Sequence, residues 1–346
     1  MPTDSPTRAL ASDNWAGVHT EVIAAIAAAN SGHSPSYGED RYTKSVIAKI
    51  RDSLEADQVF RVFTGTGANV LGLSALALPY NAIICADTSH VHTSECAAAE
   101  KHIGCKLLPV DAPDGKITPE GIAQHLYKLG DEHHVQPSAV SISQATEYGT
   151  VYSRDEVLVI AEFAHAHDLY LHMDGARLAN AAAHLGEPLR DMARSVGVDV
   201  LSFGGTKNGA LAAEAVVFFN GNLAKGFDFR RMQGMQLASK MRFVAAQFDA
   251  LLTDDLWLRS ASHSNKMAAI LGAGLAEVPG IRLTQKVEAN EVFAILPREH
   301  VARLQEKCFF EIWVEATTEA RFVTSFDTSE EEVRDFVRAA REMIGG

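Results

Sequence analysis

The residue with the plainest capacity for chemistry is Lys207, in Gly204-Gly205-Thr206-Lys207-Asn208-Gly209, just after the apolar run of residues 198–203. A short apolar run closed by a glycine pair predicts a strand buried on both faces and ended by a turn. An amine at the end of such a strand loses hydration, which favours its neutral form, the form that adds to a carbonyl. A surface-turn lysine before the common turn pair Asn208-Gly209 is the other reading of this loop. A second stretch bears on the choice. Tyr170-Leu-His-Met-Asp174 is a strand pattern ending on an aspartate, followed by Gly175 and a helix-like segment over residues 177–184. Open α/β sheets place their ligands beyond the carboxyl ends of buried strands, where Asp174 would stand, and the interval from Asp174 to Lys207 suits one strand, helix, strand step.

A lysine and a carboxylate delivered by one sheet are what pyridoxal phosphate requires. The amine bonds the aldehyde as a Schiff base, and the carboxylate pairs with the pyridinium nitrogen so that the ring draws in electrons. The two motifs together, His172-Met-Asp-Gly-Ala-Arg177 followed by Ser202-Phe-Gly-Gly-Thr-Lys-Asn208, resemble the threonine aldolases of the fold-type-I pyridoxal phosphate enzymes, and above all their bacterial low-specificity L-threonine aldolase branch. The likeness runs from Ala11-Ser-Asp-Asn14 to Ala320-Arg-Phe-Val-Thr-Ser325, nearly the whole chain.

The resemblance implies an α/β, transferase-like fold, with a mostly parallel seven-stranded sheet between helices and a smaller C-terminal α+β domain. It implies retro-aldol cleavage of L-threonine, L-allo-threonine and related L-β-hydroxy-α-amino acids to glycine and an aldehyde. Site roles follow residue by residue. Gly65, Thr66 and Asn69 correspond to the cofactor's phosphate cup, and His90 to the histidine stacked on its ring, with Glu95 at the family's spacing. Asp174 and Lys207 correspond to the ring and aldehyde partners. Arg177 serves the cofactor or the substrate carboxylate, Arg321 the carboxylate, and Ser12 the substrate side. His133, with His134 as fallback, corresponds to a histidine approaching the substrate hydroxyl; His90 and His133 are both candidate bases, imidazole titrating near neutrality. Arg242, and less well Lys240, match basic residues that meet the partner's cofactor phosphate, which implies a homodimer sharing active sites, paired into a homotetramer. Many relatives carry Glu-Asn-Thr-His where this chain has Gln144-Ala-Thr-Glu147.

Three other readings stay open: an aldolase for bulkier, phenylserine-type substrates, a β-eliminating lyase or transaminase on the same cofactor, and a nucleotide-binding or purely structural α/β protein. The last is disfavoured because Gly65, Gly67 and Gly72 do not fit the dinucleotide pattern G-x-G-x-x-G.

The 346 residues can bury a large core, and the net charge of −13 argues against nucleic acid or an anionic membrane as a general partner. Cys85, Cys96, Cys105 and Cys308 lack paired metal spacing and fit a reducing compartment. His90 and His92 lack a third ligand, so no metal is expected. No signal-peptide core and no membrane-length apolar run is evident, and a cytoplasmic location is the expectation.

The elements that must position these residues follow from periodicity. Residues 1–10 read as a disordered lead-in, 11–250 as the large cofactor-binding domain and 251–346 as the small one. Helical patterns cover 21–30, 42–58 and 254–277; strand patterns cover 59–63, 81–86, 106–110, 139–143, 214–219, 281–284, 291–295 and 320–326. Thr64-Gly-Thr-Gly-Ala-Asn69 reads as a turn feeding an apolar helix over 70–78. Thr118 and Ser153-Arg-Asp-Glu156 read as helix caps, and Thr328-Ser-Glu-Glu331 as the cap of the last helix.

Overall fold

The computed structural model describes residues 9–345. Of the lead-in expected to be disordered, residues 1–8 lie outside the described residues. Leu10 is 3% exposed within the C-terminal core, and its backbone bonds both Phe309 and Val323.

Seven strands make the main sheet: β1 (Gln58–Val62), β2 (Asn81–Ala86), β3 (Lys106–Val110), β4 (Gln136–Ser143), β5 (Tyr170–Gly175), β6 (Val200–Gly204) and β7 (Glu214–Phe218). Their order is β1-β7-β6-β5-β4-β2-β3, and only β7 runs against its neighbours. β2 and β4–β7 are almost wholly buried because both faces are covered, as a parallel sheet requires. The two-residue alternation sorts their side chains: Ile84, Val140, Leu171 and Leu201 enter one core, and Ile83, Ala139, Val200 and Val216 the other. Helices Arg41–Leu54, Arg154–Ala166 and Arg242–Leu251 close the first face, and helix Gly65–Ser74 the second.

The remaining strands, β8 (Arg282–Leu283), β9 (Glu291–Ile295), β10 (Glu311–Val314) and β11 (Glu319–Val323), form an antiparallel sheet in the order β10-β11-β9-β8 with its own core. β10, half-buried throughout, has no counterpart in the strand patterns read from sequence. Three local expectations change. The helix placed at 70–78 begins at Gly65, because Thr64 Oγ1 accepts the Gly67 N–H at 3.0 Å and makes Thr64 the cap. The last helix, Glu330–Ile344, is capped one residue later than the pattern suggested: Ser329 and Glu332 form the reciprocal box. The helix begun by Thr118 is a single turn, Pro119–Ala123. The Ser153/Glu156 box forms as read.

Candidate active site

A cavity of about 350 Å³ opens at the carboxyl edge of the main sheet, lined by residues from six strand ends. β1 leads into Thr64, Gly65 and Thr66; β2 leads to His90 and Glu95; β4 leads to Glu147. β5 brings Asp174 and β6 leads to Lys207, while the reversed β7 begins at Glu214 on this same edge. In register, Glu214 lies opposite both Val62 and Gly204. Asp174, Lys207 and His90, singled out far apart in sequence, thus share one cavity.

Asp174 is held in place by its neighbours. Its Oδ1 accepts the Ala176 N–H at 3.0 Å and its Oδ2 accepts Asn69 Nδ2 at 2.7 Å. Asn69 uses its second amide hydrogen on Glu95 Oε1 at 2.8 Å, and the same oxygen lies 2.8 Å from His90 Nδ1. An ionised carboxylate only accepts, so Nδ1 carries the hydrogen, and in the neutral ring Nε2 keeps its lone pair. The Glu95 hydrogen bond, and to a lesser extent the charges of Glu147 and Asp174, raise the His90 pKa against the opposing effects of burial and of Lys207. Beneath Asp174, fully buried His172 is fixed between Ser141 Oγ at 2.9 Å and Ser202 Oγ at 3.0 Å, and burial lowers its pKa to about 4. A neutral imidazole therefore underlies the Asp174 carboxylate.

The residues placed in the phosphate cup divide. Gly65 and Thr66 open the first turn of helix Gly65–Ser74, whose unpaired N–H groups and positive dipole end face the cavity and suit an anion. Asn69, by contrast, turns its amide to Asp174 and Glu95 and orients carboxylates.

The substrate-side residues divide as well. Neither Arg177 nor Arg321 is among the residues that line this cavity. Arg177 donates Nε and Nη2 to Asp13 at 2.8 and 3.0 Å, and Asn290 Nδ2 adds 3.1 Å to the same carboxylate. Burial pushes the Asp13 pKa up, but Arg177, Lys207 and Asn290 together more than offset it and hold the group below its ordinary value. Arg321 lies over the Trp313 ring at 4.7 Å and reaches Glu311 at 3.4 Å. Ser12 is not part of this cavity: its hydroxyl caps the turn Asp13–Trp15 by accepting the Asn14 N–H at 3.1 Å, and it is Asn14 that lines the wall. Nor is His133. It is exposed on the loop before β4, with its N–H on Asp131, and β4 carries the chain the length of eight residues, roughly 25 Å, before the cavity edge. His134 pairs with the same Asp131 at 3.2 Å. Arg242 lies outside its own chain's cavity, with Nη1 on the Gly32 carbonyl at 3.1 Å, and Lys240 is exposed.

Sequence reasoning missed two carboxylates of the wall. Glu147 was noted only as a departure from the family pattern. Glu214 opens an apolar strand and carries no motif; burial pushes its pKa up to about 7 against the pull of Thr206 and Lys207. Only the register with Gly204 places it beside the lysine.

The group that pyridoxal phosphate would present meets suitable partners here. An amine, a buried carboxylate and a helix N-terminus share one cavity, and Asn69 Oδ1 and Glu95 Oε2 are buried there without a hydrogen-bond partner.

Comparison with known proteins agrees with this geometry. Residues 9–298 match the family model described as beta-eliminating lyase. The chain is 44% identical over 341 residues to the low specificity L-threonine aldolase of Pseudomonas aeruginosa, covering 98% of this chain and 99% of that one. The solved structure of Leishmania major threonine aldolase superposes with a TM-score of 0.92 at 32% identity, covering 97% and 99% of the two chains. A putative L-allo-threonine aldolase from Listeria monocytogenes, 15% identical over 97% of this chain and 96% of that one, shares the fold at a TM-score of 0.75. The chain belongs to the beta-eliminating lyase family of pyridoxal-phosphate enzymes and, within it, to the low-specificity L-threonine aldolases.

Proposed function

We propose that this chain cleaves L-threonine, L-allo-threonine and related L-β-hydroxy-α-amino acids to glycine and an aldehyde, on pyridoxal phosphate attached to Lys207. The observation that carries the reading is the convergence of Lys207, Asp174 and the His90–Glu95 pair on one cavity in a chain of this family. When bound, the cofactor supplies an electron sink for the pair left at Cα. Asp174, fixed by Asn69 and the Ala176 N–H, would hold the ring nitrogen; Gly65 and Thr66 would hold the phosphate. Arg177 and Arg321 would bind the substrate carboxylate, whose two oxygens a planar guanidinium matches. Holding it sets the Cα–Cβ bond where its electrons can leave. His90, with Nδ1 occupied by Glu95, would take the β-hydroxyl proton on Nε2 as the bond breaks.

The same reading divides the chain into a cofactor-binding part over residues 11–250 and a smaller part over 251–346, in keeping with the two sheets and their separate cores. It makes the working unit a homodimer with shared sites, paired into a tetramer, in the cytoplasm. Arg242 lies outside its own cavity, and Phe229, Met232 and Met235, 76%, 59% and 80% exposed, flank the segment that would cross to a partner. His133, at the far edge of the sheet, reaches a substrate only across a subunit boundary. Among the described residues no helix is long and apolar enough to cross a membrane.

The test is the visible spectrum of the purified protein before and after L-threonine, coupled to alcohol dehydrogenase. A yellow protein that releases acetaldehyde and leaves glycine supports the reading. A yellow protein that yields an oxo acid instead is a β-eliminating lyase, the chemistry named by the family model. One that attacks phenylserine but not threonine is an aldolase for bulkier side chains.

A further inference from the structure

Glu291, the first residue of β9, is an anomaly beside the candidate active site. It is 0% exposed, and neither carboxyl oxygen has a hydrogen-bond partner. A buried carboxylate in that state forgoes the hydration of its ionised form and receives no donors in exchange. Its position is enforced from outside: a Cβ on Gly149 would stand 2.8 Å from the Glu291 Cβ. The charged groups around it come from four elements. Arg177 precedes helix Leu178–Leu185 and puts Nη2 at 3.7 Å; Arg321 faces it from β11, Glu147 from the loop after β4, and Asp13 from the turn Asp13–Trp15.

These groups divide the negative charge unequally. Asp13 is held ionised by three donated hydrogen bonds. Glu311 reaches Arg321 from a half-exposed side chain. Counting Glu147 and Glu291, four carboxyl groups surround two guanidinium groups, so the arginine pair has no unmatched positive charge for an entering anion. A carboxylate arriving there adds negative charge that one acid must relinquish. Glu147 and Glu291 both lack a donor, but Glu147 lines the cavity, whereas Glu291, 0% exposed and away from it, has neither donor nor access to water.

We propose that Glu291 takes up one proton from solvent when the substrate's carboxylate binds at Arg177 and Arg321, forming an O–H bond on its carboxyl group. The neutral acid gains a donor that can hydrogen-bond the incoming carboxylate, so one of the two orphaned oxygens is satisfied as the charge balance is restored. Burial, opposed by the two arginines, sets the Glu291 pKa above its ordinary value, which places the uptake closer to neutral pH. The inference rests on the reading of Arg177 and Arg321 as the carboxylate-binding pair.

The experiment is glycine binding to the holoenzyme, followed by calorimetry in buffers of different ionisation enthalpy between pH 6 and 9. Protons exchanged by the amine and cofactor are common to every variant, so the difference between variants isolates Glu291. Wild type is expected to take up up to one proton more than Glu291→Gln, and its glycine Kd to rise by up to about tenfold more per pH unit than that of the variant. Glu291→Met, apolar and of matching length, serves should the amide variant not fold. Equal proton uptake and parallel Kd profiles in wild type and variant overturn the proposal. Arg321→Gln separates the two readings: undiminished glycine affinity there refutes the carboxylate assignment itself, whereas weakened binding with unaltered uptake in Glu291→Gln refutes the proton uptake alone.

Discussion

Replacing Glu95 by glutamine should move the acid limb of the pH–rate profile to lower pH by about one unit. The Glu95 carboxylate is fully buried and meets His90 Nδ1 at 2.8 Å, while the His90 side chain is 32% exposed. That contact is the largest influence raising the His90 pKa. A hydrogen bond to a charged group contributes about 1.5–3 kcal/mol, and about 1.4 kcal/mol corresponds to one pKa unit, which bounds the loss at about one to two units. Water reaching a third of the ring screens the pair, so the lower end applies. The sign follows from the role. His90 must be neutral at Nε2 to accept the hydroxyl proton, so the limb of kcat/KM on the acid side reports its ionisation in the free enzyme. Glu95→Gln favours neutral imidazole and extends activity to lower pH, while the plateau falls because a weaker base removes the proton. The assay is kcat/KM for L-threonine across pH 5–9 by coupled reduction of acetaldehyde. An acid limb that stays in place, or moves to higher pH, refutes His90 as the base held by Glu95.

Other substitutions test separate parts of the reasoning. Lys207→Ala should abolish turnover and the cofactor's visible absorbance maximum, and near-normal activity in that variant removes Lys207 from its assigned role. Asp13→Asn withdraws the carboxylate that receives Arg177 twice and leaves the guanidinium buried with Glu291 at 3.7 Å, at a cost of about 3–5 kcal/mol in urea unfolding at pH 7. Because the folded Asp13 pKa is lowered, its stabilisation is present above the unfolded value of about 4 and lost as pH falls through the folded one. The gap between variant and wild type should therefore close only below about pH 4, and a gap under about 1 kcal/mol at pH 7 contradicts the buried pairing. Gly149→Ala combines a φ of +71° with a contact of 2.8 Å to Glu291 Cβ, and should cost at least about 1–3 kcal/mol; an unchanged unfolding midpoint would show that Glu291 is not fixed there.

What the sequence revealed and what it hid divide along a physical line. The shared edge of Asp174 and Lys207 was legible because one stands at the end of a strand and the other just past one, each strand with an apolar pattern and closing glycine that are local, and parallel strands deliver their ends to one edge by construction. Helix Gly65–Ser74 was misplaced because two glycines early in a segment weaken its helix propensity, while one hydroxyl at Thr64 decides where it starts. Glu214 was hidden for a different reason. It begins a strand that reads as five buried residues, and nothing local announces that this strand alone runs backwards. That reversal brings an acid to the edge where β6 leads to a lysine. The tie between Asp13, Arg177 and Asn290 has no periodicity to find at all, since it joins the N-terminal turn to both sheets. His133 shows the converse. The family resemblance suggested it as a base, but within its own chain it precedes β4, and in a parallel sheet a residue before a strand and one after it stand at opposite edges. Strand direction, more than residue type, therefore decides which of this chain's acids and bases meet the lysine.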